Sequence, residues 1–206
     1  MSGSQLGRLS YIAEKVKLWE SPGKAGGLAI GIYGKGIRPA TPVEAGKVAA
    51  IYKDNRSLMR ARARAGLDTL KAQKYVDLSR LAAIGYCFGG TTVLELARDG
   101  ADVAGTVSFH GGLATPAPQD ARNIKGKVLA LHGADDPFVK PDEVAAFQDE
   151  MRTGGVDWQM NIYGGAVHGF TNPDNGSDNS KGVAYNAKAD RRSWEAMRAF
   201  FTEIFK

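Results

Sequence analysis

Three residues carry side chains suited to nucleophilic chemistry: Cys87, Asp136 and His168. Cys87 is the only cysteine, set in the stretch AAIGYCFGGTT at residues 82–92. Gly85-Tyr86-Cys87-Phe88-Gly89 has the small-x-nucleophile-x-small form of a nucleophile elbow, with Cys in place of Ser. Such a turn is strained, and bulky neighbours would collide with the adjoining strand and helix. A helix starting at the thiol favours the thiolate. The competing reading of a single thiol is simple packing. Asp136 follows KVLALHG in the stretch ADDPFVKP. An acid there can orient a histidine, although Asp-Asp-Pro is also good turn chemistry. His168 stands in GGAVHGF, a glycine-bracketed loop.

The elements that must position these residues follow from periodicity. Five short apolar runs predict strands at 28–33, 80–86, 103–109, 127–133 and 156–163. Leu6, Leu9, Ile12, Val16 and Trp19 predict an amphipathic helix near residues 5–19. Thr41-Pro42-Val43-Glu44 is a helix start with a capping box, leading to a helix ending near Lys53. Further helices are predicted over 56–73, from the elbow to Gly100, from Pro141 to about Arg152, and over 187–204. Strands that are apolar on both faces and alternate with helices predict an α/β fold, a mostly parallel sheet covered by helices. In such sheets chemistry collects outside the carboxyl ends of the strands. Cys87, Asp136 and His168 each follow a different predicted strand. Their order of nucleophile, acid and histidine is that of α/β-hydrolase triads.

Composition narrows the function classes. The 206 residues suit one domain, 1–206, with 43% hydrophobic and 24% charged residues. One cysteine excludes an internal disulfide, so a reduced, cytoplasmic setting is expected. Glu14, Lys15 and Lys17 interrupt any signal-like apolar run, and nothing approaches a membrane span. The net charge of +5 is concentrated at Arg60, Arg62 and Arg64, which a helix spreads around its surface; no nucleic-acid or membrane partner is expected. His132 reads as a backbone-bonded structural residue. His110, at the end of VSFHGG, either lines the pocket or packs. With no second Cys and no His at a spacing of three or four, no metal site and no cofactor is expected.

GYCFGG, LHGADDPFV, YGGAVHGF and IYGKGIRP resemble the corresponding motifs of the dienelactone hydrolase family of α/β-hydrolases, over residues 28–206. The resemblance implies Cys87 as nucleophile, His168 as general base and Asp136 as the orienting acid. Asp136 is preferred to Asp135 because the family places a branched apolar residue three positions after the acid, as Val139 is. It also implies that the Phe88 backbone N–H holds the oxyanion. Tyr33, Lys35, Arg38, His110 and Phe170, in or beside these motifs, are candidates for substrate binding. Two features depart from the family. Residues 1–27 show no strand–loop pattern to supply a second oxyanion donor and a Glu near the cysteine. No basic residue follows His168 within four positions, so Lys35 or Arg38 is left to meet a substrate carboxylate.

The implied activity is hydrolysis of a small-molecule carboxylic ester or lactone through the Cys-Asp-His triad. A missing strand would leave an open sheet edge, and with it weak turnover and association into a homo-oligomer through the N-terminal side. The rival readings are a hydrolase-fold binding module with little turnover and a redox-sensing thiol protein. The latter lacks a resolving cysteine in the same chain.

Overall fold

The computed structural model describes residues 26–34 and 36–206. The chain falls into two compact units, Met1–Val76 and Asp77–Lys206. The predicted helix near residues 5–19 lies outside the described residues, as does Lys35.

In the first unit, helix α1 spans Pro42–Lys53 and helix α2 spans Arg56–Lys71. Thr41 caps α1 by accepting the Glu44 N–H at 3.2 Å. The Glu44 carboxylate reaches back to the Ala40 N–H at 2.8 Å, one residue before the cap. Asn55 caps α2 by accepting the Leu58 N–H. The strand predicted at 28–33 does not form. That segment is irregular and closes a turn in which the Gly34 N–H donates to the Gly31 carbonyl at 3.1 Å. A strand must pair its backbone groups, and the first unit holds no other strand among its described residues. The tip of this segment is tied to α1: Tyr33 stacks on Tyr52 at 5.9 Å, and the Tyr52 hydroxyl donates to the Tyr33 carbonyl.

The second unit is built on four parallel strands in the order β1 (Ala82–Tyr86), β2 (Gly105–Phe109), β3 (Lys127–Gly133) and β4 (Trp158–Tyr163). Between them run helix α3 (Phe88–Arg98), a 3-10 turn at Pro118–Asn123 and helix α4 (Pro141–Thr153). Helix α5 (Ala187–Ile204) closes the chain. β2 is buried along its whole length, and β3 except at its first residue, which explains their unbroken apolar sequences. Val128 and Ala130 of β3 pack with Leu94 of α3 and with Phe147 and Met151 of α4. On the other face α5 approaches so closely that a Cβ on Gly105 would meet Ile204 and Phe200 within 3 Å. Among the described residues β1 pairs only with β2.

The contact between α3 and α4 carries charge. Arg98 is fully buried. Its guanidinium donates to both Glu150 oxygens at 2.7 and 2.8 Å, to Glu95 at 3.0 Å and to the Leu113 carbonyl at 2.8 Å. The two-pronged geometry is the one that guanidinium and carboxylate match best. Arg98→Ala strands the buried Glu95 and Glu150 carboxylates, which is expected to lower stability by about 3–5 kcal/mol. Urea denaturation measures it. An unchanged midpoint would mean that the two acids find other partners.

Candidate active site

Register brings the chemistry together. Tyr86 of β1 lies beside Phe109 of β2, and Phe109 beside Leu131 of β3. The residue after β1 is Cys87 and the residue after β2 is His110, so the two become neighbours. Asp136 follows β3, and His168 follows β4. Each of the four strands thus delivers one reactive side chain at its carboxyl end.

Cys87 adopts φ 51° and ψ −120°, a conformation that side-chain-bearing residues avoid. The elbow holds it there. The Cys87 N–H donates to the Phe109 carbonyl at 3.0 Å, and its own carbonyl accepts from the Gly90 and Thr91 N–H groups of α3. Phe88 is the first residue of that helix. The glycine requirement differs in part from the sequence expectation. A Cβ at Gly85 would lie 2.0 Å from the Gly89 carbonyl oxygen, and one at Gly90 would lie 2.6 Å from Ser108 Oγ. At Gly89 there is open space. The close packing of helix on sheet therefore demands glycine at 85 and 90, not at 89.

Asp136 is buried while Asp135 is exposed. One Asp136 oxygen accepts the Phe138 N–H at 2.9 Å, and the other meets His168 Nδ1 at 2.9 Å. His168 therefore has Nε2 left for Cys87, whose sulfur lies within 4.8 Å. Its backbone is pinned across the loop by the Gly182 carbonyl and the Ala184 N–H.

His110 is more deeply involved than a lining residue. It is buried and has φ 40°. Nδ1 lies 3.4 Å from Cys87 Sγ and 3.2 Å from the Cys87 nitrogen, while Nε2 lies 2.9 Å from Thr171 Oγ1. Thr171 carries no signal of its own in the sequence beyond standing three residues after His168. Phe170 is fully buried; its ring sits edge-on to His110 at 4.9 Å and against Tyr163 at 5.5 Å. It backs His110 and offers no surface to a substrate. Tyr33 and Arg38 belong to the first unit, and Lys35 is outside the described residues. His132 is buried, but its Nδ1 has no hydrogen-bond partner, so the backbone-bonded role expected of it is not seen at that nitrogen. Phe138 is exposed and edges the His168 ring at 5.4 Å. It also borders a depression of about 460 Å³ shared with Leu113, Thr115 and Lys140.

The electrostatics favour an ion pair. Burial pushes the Cys87 thiol up, but the charge and hydrogen bond of His110, then those of His168, hold it well below the ordinary thiol range. Burial pushes His168 down, yet its bonds to Asp136 and to the Cys87 sulfur raise it to about 10. The thiolate–imidazolium pair accordingly spans the pH range between the lowered thiol value and about 10. In chelator-treated protein, iodoacetamide is expected to alkylate Cys87 at pH 7 at nearly its plateau rate. An ordinary thiol of pKa about 8.5 is only a few per cent ionised there. A rate midpoint near that ordinary value would contradict the pairing.

Ligand atoms of Cys87, His110 and His168 all lie within 4.8 Å of one another. No described helix is long and apolar enough to cross a membrane.

Comparison with known proteins agrees with this architecture. The family model "Dienelactone hydrolase family" matches residues 27–205. The Caenorhabditis elegans protein K02A2.1 is 35% identical over 155 residues, which is 74% of this chain and 98% of that protein. The solved structure of m3DLH is 43% identical, with a TM-score of 0.88, covering 95% of this chain and 81% of its own. The dienelactone hydrolase-like promiscuous phosphotriesterase P91, from metagenomic libraries, is 46% identical with a TM-score of 0.73, covering 79% of this chain and 68% of its own. With its parallel sheet, its elbow and a match along nearly its whole length, the chain belongs to the dienelactone hydrolase family of hydrolases.

Proposed function

We propose that the protein hydrolyses a small carboxylic ester or lactone by covalent catalysis, with Cys87 as nucleophile, His168 as base and Asp136 as orienting acid. The observation that carries this reading is the bond from the buried Asp136 to His168, whose ring nitrogen lies within 4.8 Å of the Cys87 sulfur in its strained elbow. The thiolate attacks the carbonyl carbon and the C=O electron pair moves onto oxygen. The Phe88 N–H, at the start of α3, holds that oxyanion. Collapse expels the alkoxide, which takes a proton from His168, and leaves a thioester. Acylation removes the sulfur's charge and hydrogen bond, two of the causes that raise His168. Its pKa then falls, and the neutral imidazole draws a proton from water. The resulting hydroxide attacks the thioester and releases the acid. Asp136 keeps Nδ1–H fixed throughout, so that Nε2 is always the nitrogen that works.

Substrate contacts fall to the depression beside Phe138. Phe170 acts through His110. A reduced compartment such as the cytoplasm suits a thiolate nucleophile. Because P91 is described as a promiscuous phosphotriesterase, an aryl dialkyl phosphate belongs beside aryl esters and lactones in the test panel. Turnover of a carboxylic ester or lactone by the chelator-treated protein supports the proposal. Stoichiometric binding of these compounds without turnover would favour the binding-module reading instead.

A further inference from the structure

The triad uses Cys87, His168 and Asp136 and leaves His110 unexplained. A second histidine is held in a strained backbone conformation with its Nδ1 against the nucleophile. We propose that Cys87 Sγ, His110 Nδ1 and His168 Nε2 form a site for one thiophilic divalent cation of the zinc type, and that its occupancy reversibly shuts off the nucleophile.

The geometry is that of a nearly assembled tetrahedral site. With Zn–S of about 2.3 Å and Zn–N of about 2.0–2.1 Å, tetrahedral sulfur and nitrogen ligands lie about 3.5 Å apart and two bound imidazole rings about 5 Å centre to centre. Here Sγ and Nδ1 of His110 are 3.4 Å apart. The His110 and His168 ring centroids are 5.4 Å apart and steeply inclined, as two rings radiating from one point would be. All three ligand atoms fall within 4.8 Å of one another.

The surroundings match a metal site as well as the ligands do. Metal-bound histidines fix their remote nitrogen on a carboxylate, hydroxyl or carbonyl, which sets the tautomer and aims the near nitrogen. Both histidines have that partner already: Asp136 for Nδ1 of His168, and Thr171 for Nε2 of His110. Binding would draw His110 Nδ1 away from the Cys87 N–H, but that N–H keeps its bond to the Phe109 carbonyl, so no buried donor is orphaned. Thiolate and the Asp136 carboxylate together balance the two positive charges. Any proton held by the sulfur, His110 Nδ1 or His168 Nε2 leaves to solvent as the metal enters. No redox change is involved.

A cation there ties up both the nucleophile and the base. That consequence rests on the proposed catalytic roles; the occupancy does not. The test therefore reads occupancy first. Full-length protein stripped with EDTA is titrated with Co²⁺, which reports a thiolate ligand by a near-ultraviolet charge-transfer band and four-coordination by intense visible bands. One Co²⁺ per chain, displaced by Zn²⁺, is expected. Cys87→Ser should abolish the charge-transfer band, and His110→Ala should weaken binding. Thr171→Val, nearly isosteric, removes only the partner of His110 and should weaken binding by about tenfold or more. Absence of the band, its survival in Cys87→Ser, or affinity unchanged in both His110→Ala and Thr171→Val would overturn the site. In the wild-type protein, ester turnover should fall in step with occupancy and return on adding EDTA. Full turnover with metal bound would overturn the inhibitory role.

Discussion

Cys87→Ala is expected to lower kcat for an aryl ester by about 10⁴-fold or more while leaving KM nearly unchanged. Every step of the proposed cycle passes through the sulfur: attack, thioester and release. Removing it leaves the Phe88 N–H and the pocket, which position an ester but form no bond with it. The substitution also deletes one partner of a coupled pair. His168 loses the sulfur's hydrogen bond and charge, so its pKa falls from about 10 towards what Asp136 and burial alone maintain. A histidine titration followed by NMR reads that shift independently of turnover. Structural damage should be slight, because the backbone bonds of the elbow involve no side chain of residue 87. Steady-state kinetics with a folding check by circular dichroism measure the effect. Turnover within a few-fold of wild type would remove Cys87 from the mechanism.

Asp136→Asn is expected to cost about 10⁴ in kcat, and Asp135→Asn very little. The carboxylate at 136 accepts two bonds, from the Phe138 N–H and from His168 Nδ1–H. An amide in its place turns a donor towards one of them. Nδ1 then becomes the accepting nitrogen, Nε2 carries the proton, and the base faces the thiol in the wrong tautomer. The imidazolium also loses its counter-charge, so the pH at which His168 gives up its proton falls. Asp135 differs because its side chain is exposed and only its backbone N–H is engaged, with the Ala166 carbonyl. The pair makes a register test. A larger loss at 135 than at 136 would mean that the acid is misassigned.

Much of this arrangement was legible in the sequence because local rules and tertiary demands agree in the second unit. β3 and α5 occupy the predicted spans without adjustment, since each is bounded by strong signals and faces a core matching its period. Residues 28–33 show where that agreement ends. LAIGIY has the composition of a strand, but composition does not supply a neighbour, and the chain turns at Gly34 instead. Reading the strand ends located Cys87, Asp136 and His168. It could not rank His110, whose importance depends on β1 and β2 being adjacent and in register. Spacing rules detect residues sharing one helix or loop, so they are silent on the proximity of Cys87, His110 and His168, which lie on separate strand ends. The glycines of the elbow divide similarly. Gly85 and Gly89 look equivalent in the motif, yet only the packing of α3 on the sheet shows that Gly85 and Gly90 are the crowded positions.

A covalent thioester on Cys87 is the intermediate expected of this cycle. Its most direct test is acid quenching of the chelator-treated protein during turnover of an aryl ester, followed by peptide mass mapping. The substrate's acyl group is expected on the peptide containing Cys87, removable by hydroxylamine, rising with an initial burst of aryl alcohol and disappearing when substrate is exhausted. A burst of aryl alcohol with the acyl group on any other residue would contradict it.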